Sequence, residues 1–131
     1  MILDIEADII KCIMTPADKL KIFCGFSHPA LAQEIAEFLD LDLGAVTLSK
    51  FSSGELYARI GETIRGHDVY VLQTVTEKVN DNYMELFVMM DAFKRASARS
   101  VNVIIPYFGY SRQDRKSAPR EPISSKMIAD L

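Results

Sequence analysis

The side chains that could do chemistry are concentrated in one segment near the carboxyl terminus of this 131-residue chain. Between Arg112 and Lys126 there are five cationic and two anionic residues, a local charge of +3, whereas the whole chain carries −3 and its remaining residues therefore −6. Such a concentration of cationic groups suits a phosphate-rich ligand. A solvated surface loop is the alternative interpretation, and the charges alone do not decide between the two.

The position of this basic segment favours a ligand site. The basic segment, Pro106–Pro122, follows Val101–Ile105, a β-branched run that predicts a buried strand, and it precedes Ile123–Leu131, which is typical of the start of a helix. In an open α/β sheet, ligands bind beyond the carboxyl ends of the strands. Neither standard glycine-rich phosphate-binding pattern occurs in the chain, so side chains would have to bind any nucleotide. Arg112 offers a guanidinium fork to phosphate oxygens, and the Gln113 amide can both donate to and accept from a base edge.

A second candidate site is the turn Phe51–Glu55. An aromatic ring beside a glycine turn could stack on adenine, while the Glu55 carboxylate accepts hydrogen bonds from the adenine amino group. Composition alone favours an ordinary hairpin turn. Arg65, in another predicted turn, could bind an anion, although a turn arginine is usually solvated. The two histidines belong to no metal-ligand pattern, and no Ser-His-Asp or Cys-His set can be argued.

The elements that must position these residues alternate between strands and helices. This alternation predicts an α/β fold, with a mainly parallel sheet covered by helices on both faces. The second helix is apolar on most sides, so it should be buried or form an oligomer contact. The inward face of the first helix is predicted to carry Leu31, Ile35, Phe38 and Leu39. The predicted strands are 21–24, 46–50, 56–60, 68–73 and 101–105, and the predicted helices begin after a Ser27 cap, at the cap cluster Asn80–Asn82 and at about Pro122.

Composition limits the class of protein. A length of 131 residues fits one modest domain, and 49% hydrophobic with 25% charged residues predicts an ordinary globular core. The small acidic net charge argues against a nucleic-acid binder, and no apolar run approaches the ~18 residues that a membrane span requires. The amino terminus lacks the basic region of a secretory signal. The cysteines Cys12 and Cys24 form no disulfide framework, which predicts reduced thiols in a cytoplasmic protein.

Both ends of the chain carry further expectations. Residues 1–19 are interpreted as an extension of unknown role, in which Ile2, Ile5, Ile9 and Ile13 recur at helical spacing. Residues 20–131 are interpreted as one incomplete domain. The last predicted helix is still amphipathic where the chain stops, so we expect this sequence to be part of a longer protein.

Taken together, these segments closely resemble ribose-phosphate pyrophosphokinase, also called phosphoribosyl pyrophosphate synthetase. The resemblance extends from about Leu20 to Leu131. Any one segment would be weak, but five of them in the family's order with compatible spacing are strong. The segments are 21–23, Lys50–Glu55, Ile64–Gly66, Asn80–Leu86, and Ile105–Lys116 together with Arg120–Ile123.

The resemblance implies a type I phosphoribosyltransferase-like fold and a specific reaction. Members of the family transfer the β,γ-diphosphoryl group of Mg-ATP to the 1-hydroxyl of ribose 5-phosphate, which gives phosphoribosyl pyrophosphate and AMP. Their subunits contain two similar domains and usually assemble as hexamers, with ATP at a subunit junction. The resemblance therefore implies ATP and ribose 5-phosphate as substrates, Mg²⁺ as cofactor, and a homo-oligomer that works in nucleotide biosynthesis.

The resemblance also assigns roles to matching positions. In the family, one loop reaches adenine from a neighbouring subunit, an Arg-Gln pair contacts the nucleotide, and a third segment helps to bind regulatory phosphate or ADP. The positions carried over are, for ATP, Phe51, Ser53, Gly54, Glu55, Arg112 and Gln113 and, for the regulatory anion, Thr63 and Arg65.

Two departures from the family qualify these implications. Ser53 stands where the family usually has Asp or Asn, which puts one adenine contact in doubt. The chain also ends before the family's metal-binding histidine segment, catalytic flexible loop and ribose-5-phosphate loop, so we expect no catalytic residue or metal ligand in it and no activity from it alone. The alternative function is a non-catalytic regulatory paralogue that assembles with such an enzyme. The intact run Arg112–Lys116 favours the enzyme, because a retired site would be free to lose it.

Overall fold

The computed structural model describes residues 19–131. The helix suggested by the isoleucine spacing of the amino-terminal extension lies outside the described residues. In chain order the elements are β1 (Leu20–Cys24), α1 (Pro29–Phe38), β2 (Val46–Lys50), β3 (Leu56–Ile60), β4 (Asp68–Leu72), α2 (Val79–Arg95), β5 (Ser100–Ile104), a 3₁₀ turn (Ser111–Gln113) and α3 (Ser124–Asp130).

A parallel sheet forms the centre of the fold. Its strand order is β1-β4-β5, and Tyr70 of β4 pairs with Ile22 on one side and Asn102 on the other. The strands β2 and β3 form a separate antiparallel hairpin. Val69 and Val71 of the central strand β4 are fully buried in the hydrophobic core that covers one face of the sheet. The predicted α/β class with a mainly parallel sheet is confirmed.

The main core lies between one face of the sheet and α2. Phe23 of β1 and Phe93 of α2 are both fully buried, with ring centroids 4.8 Å apart. The hairpin packs against the same helix, and its inward residues Leu48, Ala58 and Ile60 join this core. These contacts explain why α2 carries so many apolar residues, and they confirm burial of one side of the helix, which is one of the two predicted alternatives.

The opposite face of the sheet is covered only in part. Helix α1 packs on β1, and it lines an apolar cavity of about 190 Å³ together with Leu72 and Ile104. Ile104 remains 42% exposed at the β5 side of this face, so the prediction of a sheet covered on both faces holds only near β1 within residues 19–131. The prediction that Phe38 faces inward is wrong, because this last residue of α1 is 89% exposed.

Helix starts also differ from the sequence-based predictions. Helix α1 is capped by His28, whose Nδ1 accepts a hydrogen bond from Leu31 N at 3.1 Å, whereas the Ser27 hydroxyl accepts one from Thr74 N. The predicted Ser27 cap is therefore wrong. Helix α2 begins at Val79 without a side-chain cap, because Asn80–Asn82 lie inside its first turn and bond to distant loops. Helix α3 begins at Ser124 rather than at Pro122.

Candidate functional site

The first half of the basic segment is docked firmly on α2. Gly109 is buried, and a Cβ atom there would lie only 2.9 Å from Cγ1 of Val75 and of Val79. The buried Tyr83 hydroxyl donates a hydrogen bond of 2.9 Å to the Gly109 carbonyl. Burial raises the pKa of Tyr83, so its hydroxyl stays protonated as a donor. Only glycine permits this close approach, which fixes the backbone just beyond the carboxyl end of β5.

The 3₁₀ turn Ser111–Gln113 follows directly. Tyr110 precedes it with φ of 64°, a left-handed conformation that is uncommon for an aromatic residue. The turn is closed by a 2.9 Å hydrogen bond from Gln113 N to the Tyr110 carbonyl. The Tyr110 hydroxyl donates to Oδ1 of Asn80 in the first turn of α2. The backbone that carries Arg112 and Gln113 is therefore held at both ends of the turn.

The Arg112 and Gln113 side chains themselves are exposed. Both line a cavity of about 380 Å³, which is completed by Thr76, Val79, Tyr107, Gly109 and Tyr110. Within residues 19–131 neither side chain makes an ion pair or a hydrogen bond. An ordered backbone that presents a guanidinium and an amide group to a cavity can bind a phosphate or a base edge. The backbone of this segment is thus ordered and its side chains reach solvent, and the ligand site stays a prediction.

The second half of the basic segment is organised by Glu121. Its Oε2 accepts hydrogen bonds of 2.9 Å from the backbone N–H groups of both Ser117 and Ala118. Arg120 adopts φ of 69°, which turns the chain back towards α3. All side chains from Arg112 to Pro122 are exposed, so the cationic groups of this stretch remain available to an anionic ligand.

The turn Phe51–Glu55 presents an exposed ring on an ordered loop. Phe51 is 57% exposed and meets only the edge of Tyr57, at a centroid distance of 6.2 Å. Gly54 has φ of 92° and open space around it, which allows the tight turn closed by Phe51 N and the Glu55 carbonyl at 2.9 Å. The Ser53 hydroxyl donates to Glu55 Oε2 at 2.7 Å and so orients the carboxylate. The predicted hairpin turn is confirmed.

Neither of the other predicted segments joins Arg112 in its cavity. Phe51, Ser53 and Glu55 do not line it, and Lys50, just before the turn, forms an ion pair of 2.6 Å with Asp81 in the first turn of α2. Thr63 and Arg65 are exposed at the amino end of β4, the opposite edge of the sheet from Arg112. There the hydrogen bond from His67 N to the Ile64 carbonyl closes the predicted turn, and Gly66, with φ of 75°, donates its N–H to the distant Ser97 carbonyl. The structure therefore presents three separate surfaces rather than one site.

A buried polar pair was not predicted from the sequence. Gln73 is fully buried and Glu85 is 4% exposed, and Glu85 Oε1 accepts hydrogen bonds from Gln73 Nε2 at 3.1 Å and Phe26 N at 2.7 Å. Burial, and secondarily the charge of Glu85, raises the pKa of the nearby Cys24 thiol. A carboxylate on the otherwise apolar face of α2 was the available signal. These contacts fix the loop after β1 relative to the ends of β4 and α2.

Within residues 19–131, no group of three or more histidine, cysteine, aspartate or glutamate side chains could hold a metal ion. In the same range no helix is both long and apolar enough to cross a membrane. The cavity lining contains no carboxylate either, so it offers groups for phosphate or base atoms rather than for a divalent cation.

Comparisons with known proteins identify the relatives of this chain. A family model described as the N-terminal domain of ribose phosphate pyrophosphokinase matches residues 20–131. The chain is 55% identical over 114 residues to a ribose-phosphate pyrophosphokinase of Fusobacterium nucleatum, covering 87% of this chain and 36% of that protein. For the Thermotoga maritima protein of the same name, identity is 48% over 118 residues, or 90% of this chain and 38% of that one.

A solved structure is similar as well. The crystal structure of phosphoribosylpyrophosphate synthetase from Mycobacterium smegmatis superposes with a TM-score of 0.83 at 42% identity, covering 86% of this chain and 38% of that chain. The chain therefore spans little more than a third of the length of these relatives.

Proposed function

Since the chain belongs to the family of amino-terminal domains of ribose phosphate pyrophosphokinase, we propose that it supplies part of the ATP site of a diphosphokinase. The full-length enzyme would transfer diphosphate from Mg-ATP to ribose 5-phosphate and release phosphoribosyl pyrophosphate and AMP for nucleotide biosynthesis. One observation carries this proposal. Arg112 and Gln113 line a cavity without a side-chain partner among residues 19–131, and the turn that carries them is closed by a backbone hydrogen bond.

The chemistry of the cavity suits the donor nucleotide. Diphosphoryl transfer requires positioning and charge neutralisation more than covalent catalysis. The Arg112 guanidinium would pair with phosphate oxygens, and the Gln113 amide would bind the nucleotide through its donor and acceptor atoms. Mg²⁺ prefers phosphate oxygens and water, so it would arrive on the ATP phosphates rather than on ligands from this cavity.

We assign the turn Phe51–Glu55 to the adenine of a neighbouring subunit in a homo-oligomer. Three features support this assignment. The Phe51 ring is exposed, the turn lies outside the cavity of Arg112, and the Ser53 hydroxyl fixes one oxygen of Glu55. An exposed aromatic ring on an ordered turn can stack on a base with little loss of side-chain entropy. Ser53 would thus act by orienting Glu55, which replaces the contact expected from the family's Asp or Asn.

Thr63 and Arg65 are proposed to bind a regulatory phosphate. Their position at the amino end of β4, away from the cavity, fits a site separate from the substrate. Because Ile64 between them is buried and the following turn bonds to Ser97, both side chains are held at the surface. With Cys24 as a free thiol, the cytoplasm remains the proposed compartment.

Replacement of Arg112 tests the ATP-site proposal in the full-length protein that carries this domain. We expect Arg112→Ala to weaken Mg-ATP binding at least ~10-fold by calorimetry, since charge-assisted hydrogen bonds to phosphate contribute about 1.5–3 kcal/mol. Arg95→Ala is the matched control, because Arg95 lies at the far end of α2 and, in the described part of the chain, pairs only with Asp91. Equal affinity of the Arg112 variant and the control would exclude the proposed role.

The 131-residue chain alone is expected to be catalytically inert. It carries the proposed nucleotide-contacting groups, but no cluster of acidic or histidine ligands within residues 19–131. The measurement is AMP release by the chain in the presence of ATP, Mg²⁺ and ribose 5-phosphate, with the full-length protein as the positive control. Sustained turnover by the chain would contradict this expectation.

A further inference from the structure

We propose that Tyr110 and Asn80 are positioning residues for nucleotide binding. The hydrogen bond between them holds the 3₁₀ turn in the orientation that presents Arg112 and Gln113 to the cavity. The biological meaning of this inference rests on the proposed function, whereas its structural content can be measured without any nucleotide.

The backbone of Tyr110 requires an external constraint. Its φ of 64° lies in the left-handed region, which a residue with a bulky side chain leaves unless surrounding contacts hold it there. The ring packs beside Tyr83 at a centroid distance of 6.2 Å, and the hydroxyl donates to Asn80 Oδ1. Packing and hydrogen bonding together select this conformation. Strain retained beside a candidate ligand cavity is typical of functional segments.

The conformation of Tyr110 sets the orientation of the turn that carries Arg112 and Gln113. The Tyr110 carbonyl accepts the hydrogen bond from Gln113 N that closes the turn, and Arg112 lies between these two residues. A change at Tyr110 therefore rotates the whole turn. The carbonyl of the preceding residue, Gly109, is held independently by the Tyr83 hydroxyl, so loss of the Asn80 bond should affect the turn rather than detach the loop.

Asn80 is a suitable fixed point for this bond. It lies in the first turn of α2, a 17-residue helix that buries Tyr83, Leu86, Met89 and Phe93 in the core. Asn80 is itself exposed, and within residues 19–131 its side chain serves no other bond. A polar side chain on a rigid helix that reaches only the ligand-bearing loop acts as a support for that loop.

Amide hydrogen exchange at Gln113 tests the structural content on the 131-residue chain. We expect Tyr110→Phe and Asn80→Ala each to speed exchange of the Gln113 amide by about 2- to 10-fold, the effect of losing one ordinary hydrogen bond. Exchange at Val69 and Val71 in β4 should not change. Asn80→Asp keeps an acceptor oxygen and should restore slow exchange, and Tyr70→Phe removes a hydroxyl from the opposite face of the sheet as the matched control. Unchanged Gln113 exchange in both loop variants would overturn the proposal.

Steady-state kinetics of the full-length protein test the functional content. We expect Tyr110→Phe to raise KM for Mg-ATP about 3- to 10-fold while kcat changes less than ~2-fold, because a misplaced turn weakens binding without touching the reacting atoms. Tyr70→Phe should match the wild type in both parameters. If Arg112→Ala leaves ATP affinity unchanged, the proposed function fails. The exchange rate of the Gln113 amide then still tests whether the Tyr110–Asn80 hydrogen bond holds the turn. If Arg112 matters and Tyr110→Phe leaves KM unchanged, this inference fails alone.

Discussion

Substitution of Gly25 by alanine should severely destabilise the domain. Gly25 follows β1, and a Cβ atom there would lie 2.1 Å from Gln73 Oε1 and equally 2.1 Å from Glu85 Oε1. Neither oxygen can move away freely. Gln73 is fixed by donating Nε2 to the Asn82 carbonyl and to Glu85, and Glu85 by accepting from Phe26 N. The methyl group would therefore break buried hydrogen bonds rather than displace a flexible side chain.

The size of the effect follows from these contacts. Overpacking of a well-packed interior costs about 1–3 kcal/mol. A buried polar group left without its partner costs about 1–3 kcal/mol more. We therefore expect Gly25→Ala to lower the free energy of unfolding by about 2–6 kcal/mol, a large part of the ~5–15 kcal/mol typical of a domain. For a chain of 131 residues this corresponds to a fall in melting temperature of roughly 6–24 °C.

Urea denaturation and thermal melting followed by circular dichroism measure this change. Gly61→Ala is the matched control, because its added methyl group would meet Ala45 Cβ at 3.1 Å, and the cost should stay below ~1 kcal/mol. A Gly25→Ala variant as stable as the Gly61→Ala control would refute the reasoning, since it would mean that the Gln73–Glu85 pair is not packed against the Gly25 backbone.

Two further predictions concern charged groups. Burial opposes ionisation of Glu62, but its hydrogen bonds with Lys21 and Ala45 N outweigh burial and lower its pKa. A carboxyl group with a lowered pKa in the folded state stabilises the fold at pH above its unfolded-state pKa, near 4.5. This stabilisation is lost as the pH falls through the folded-state pKa. Glu62→Gln should therefore flatten the decline of melting temperature between about pH 5 and pH 3, whereas the exposed control Glu34→Gln should follow the wild type. Glu121→Ala should speed trypsin cleavage at Arg115 or Lys116 by about 2- to 10-fold, because it frees the Ser117 and Ala118 amides that order this loop. The exposed Glu77→Ala variant is the control, and equal cleavage rates in the two variants would contradict the role of Glu121.

Much of the fold could be predicted from the sequence because its elements are strongly patterned. The β-branched run before the basic segment became β5, and the glycine turn after Phe51 became the hairpin loop. Local preference was least reliable where side chains had distant partners. Ser27 is a residue type that often caps helices, but its hydroxyl accepts a hydrogen bond from Thr74 N. The Asn80 side chain accepts a hydrogen bond from Tyr110 rather than from the backbone of its own helix. Phe38 fits the apolar spacing of α1, yet it is the last residue of the helix and its side chain is exposed.

For the candidate site as well, the sequence predicted the residues and the tertiary structure showed their placement. The sequence identified Arg112 and Gln113 from charge, from the preceding strand and from the order of the matching segments, because those features lie along the chain. Only the tertiary structure showed that the turn carrying them is docked on α2, and that Arg65 lies at the opposite edge of the sheet.

The sequence by itself determined which residues form strands and helices, since backbone preferences and the periodicity of burial are local properties. The tertiary structure alone decided which polar atoms meet. Glu85 reaches Phe26 N across 59 positions, and Tyr83 reaches the Gly109 carbonyl across 26. Such pairs form because of how the sheet and α2 pack in three dimensions, and the spacing of residues along the chain does not predict that packing.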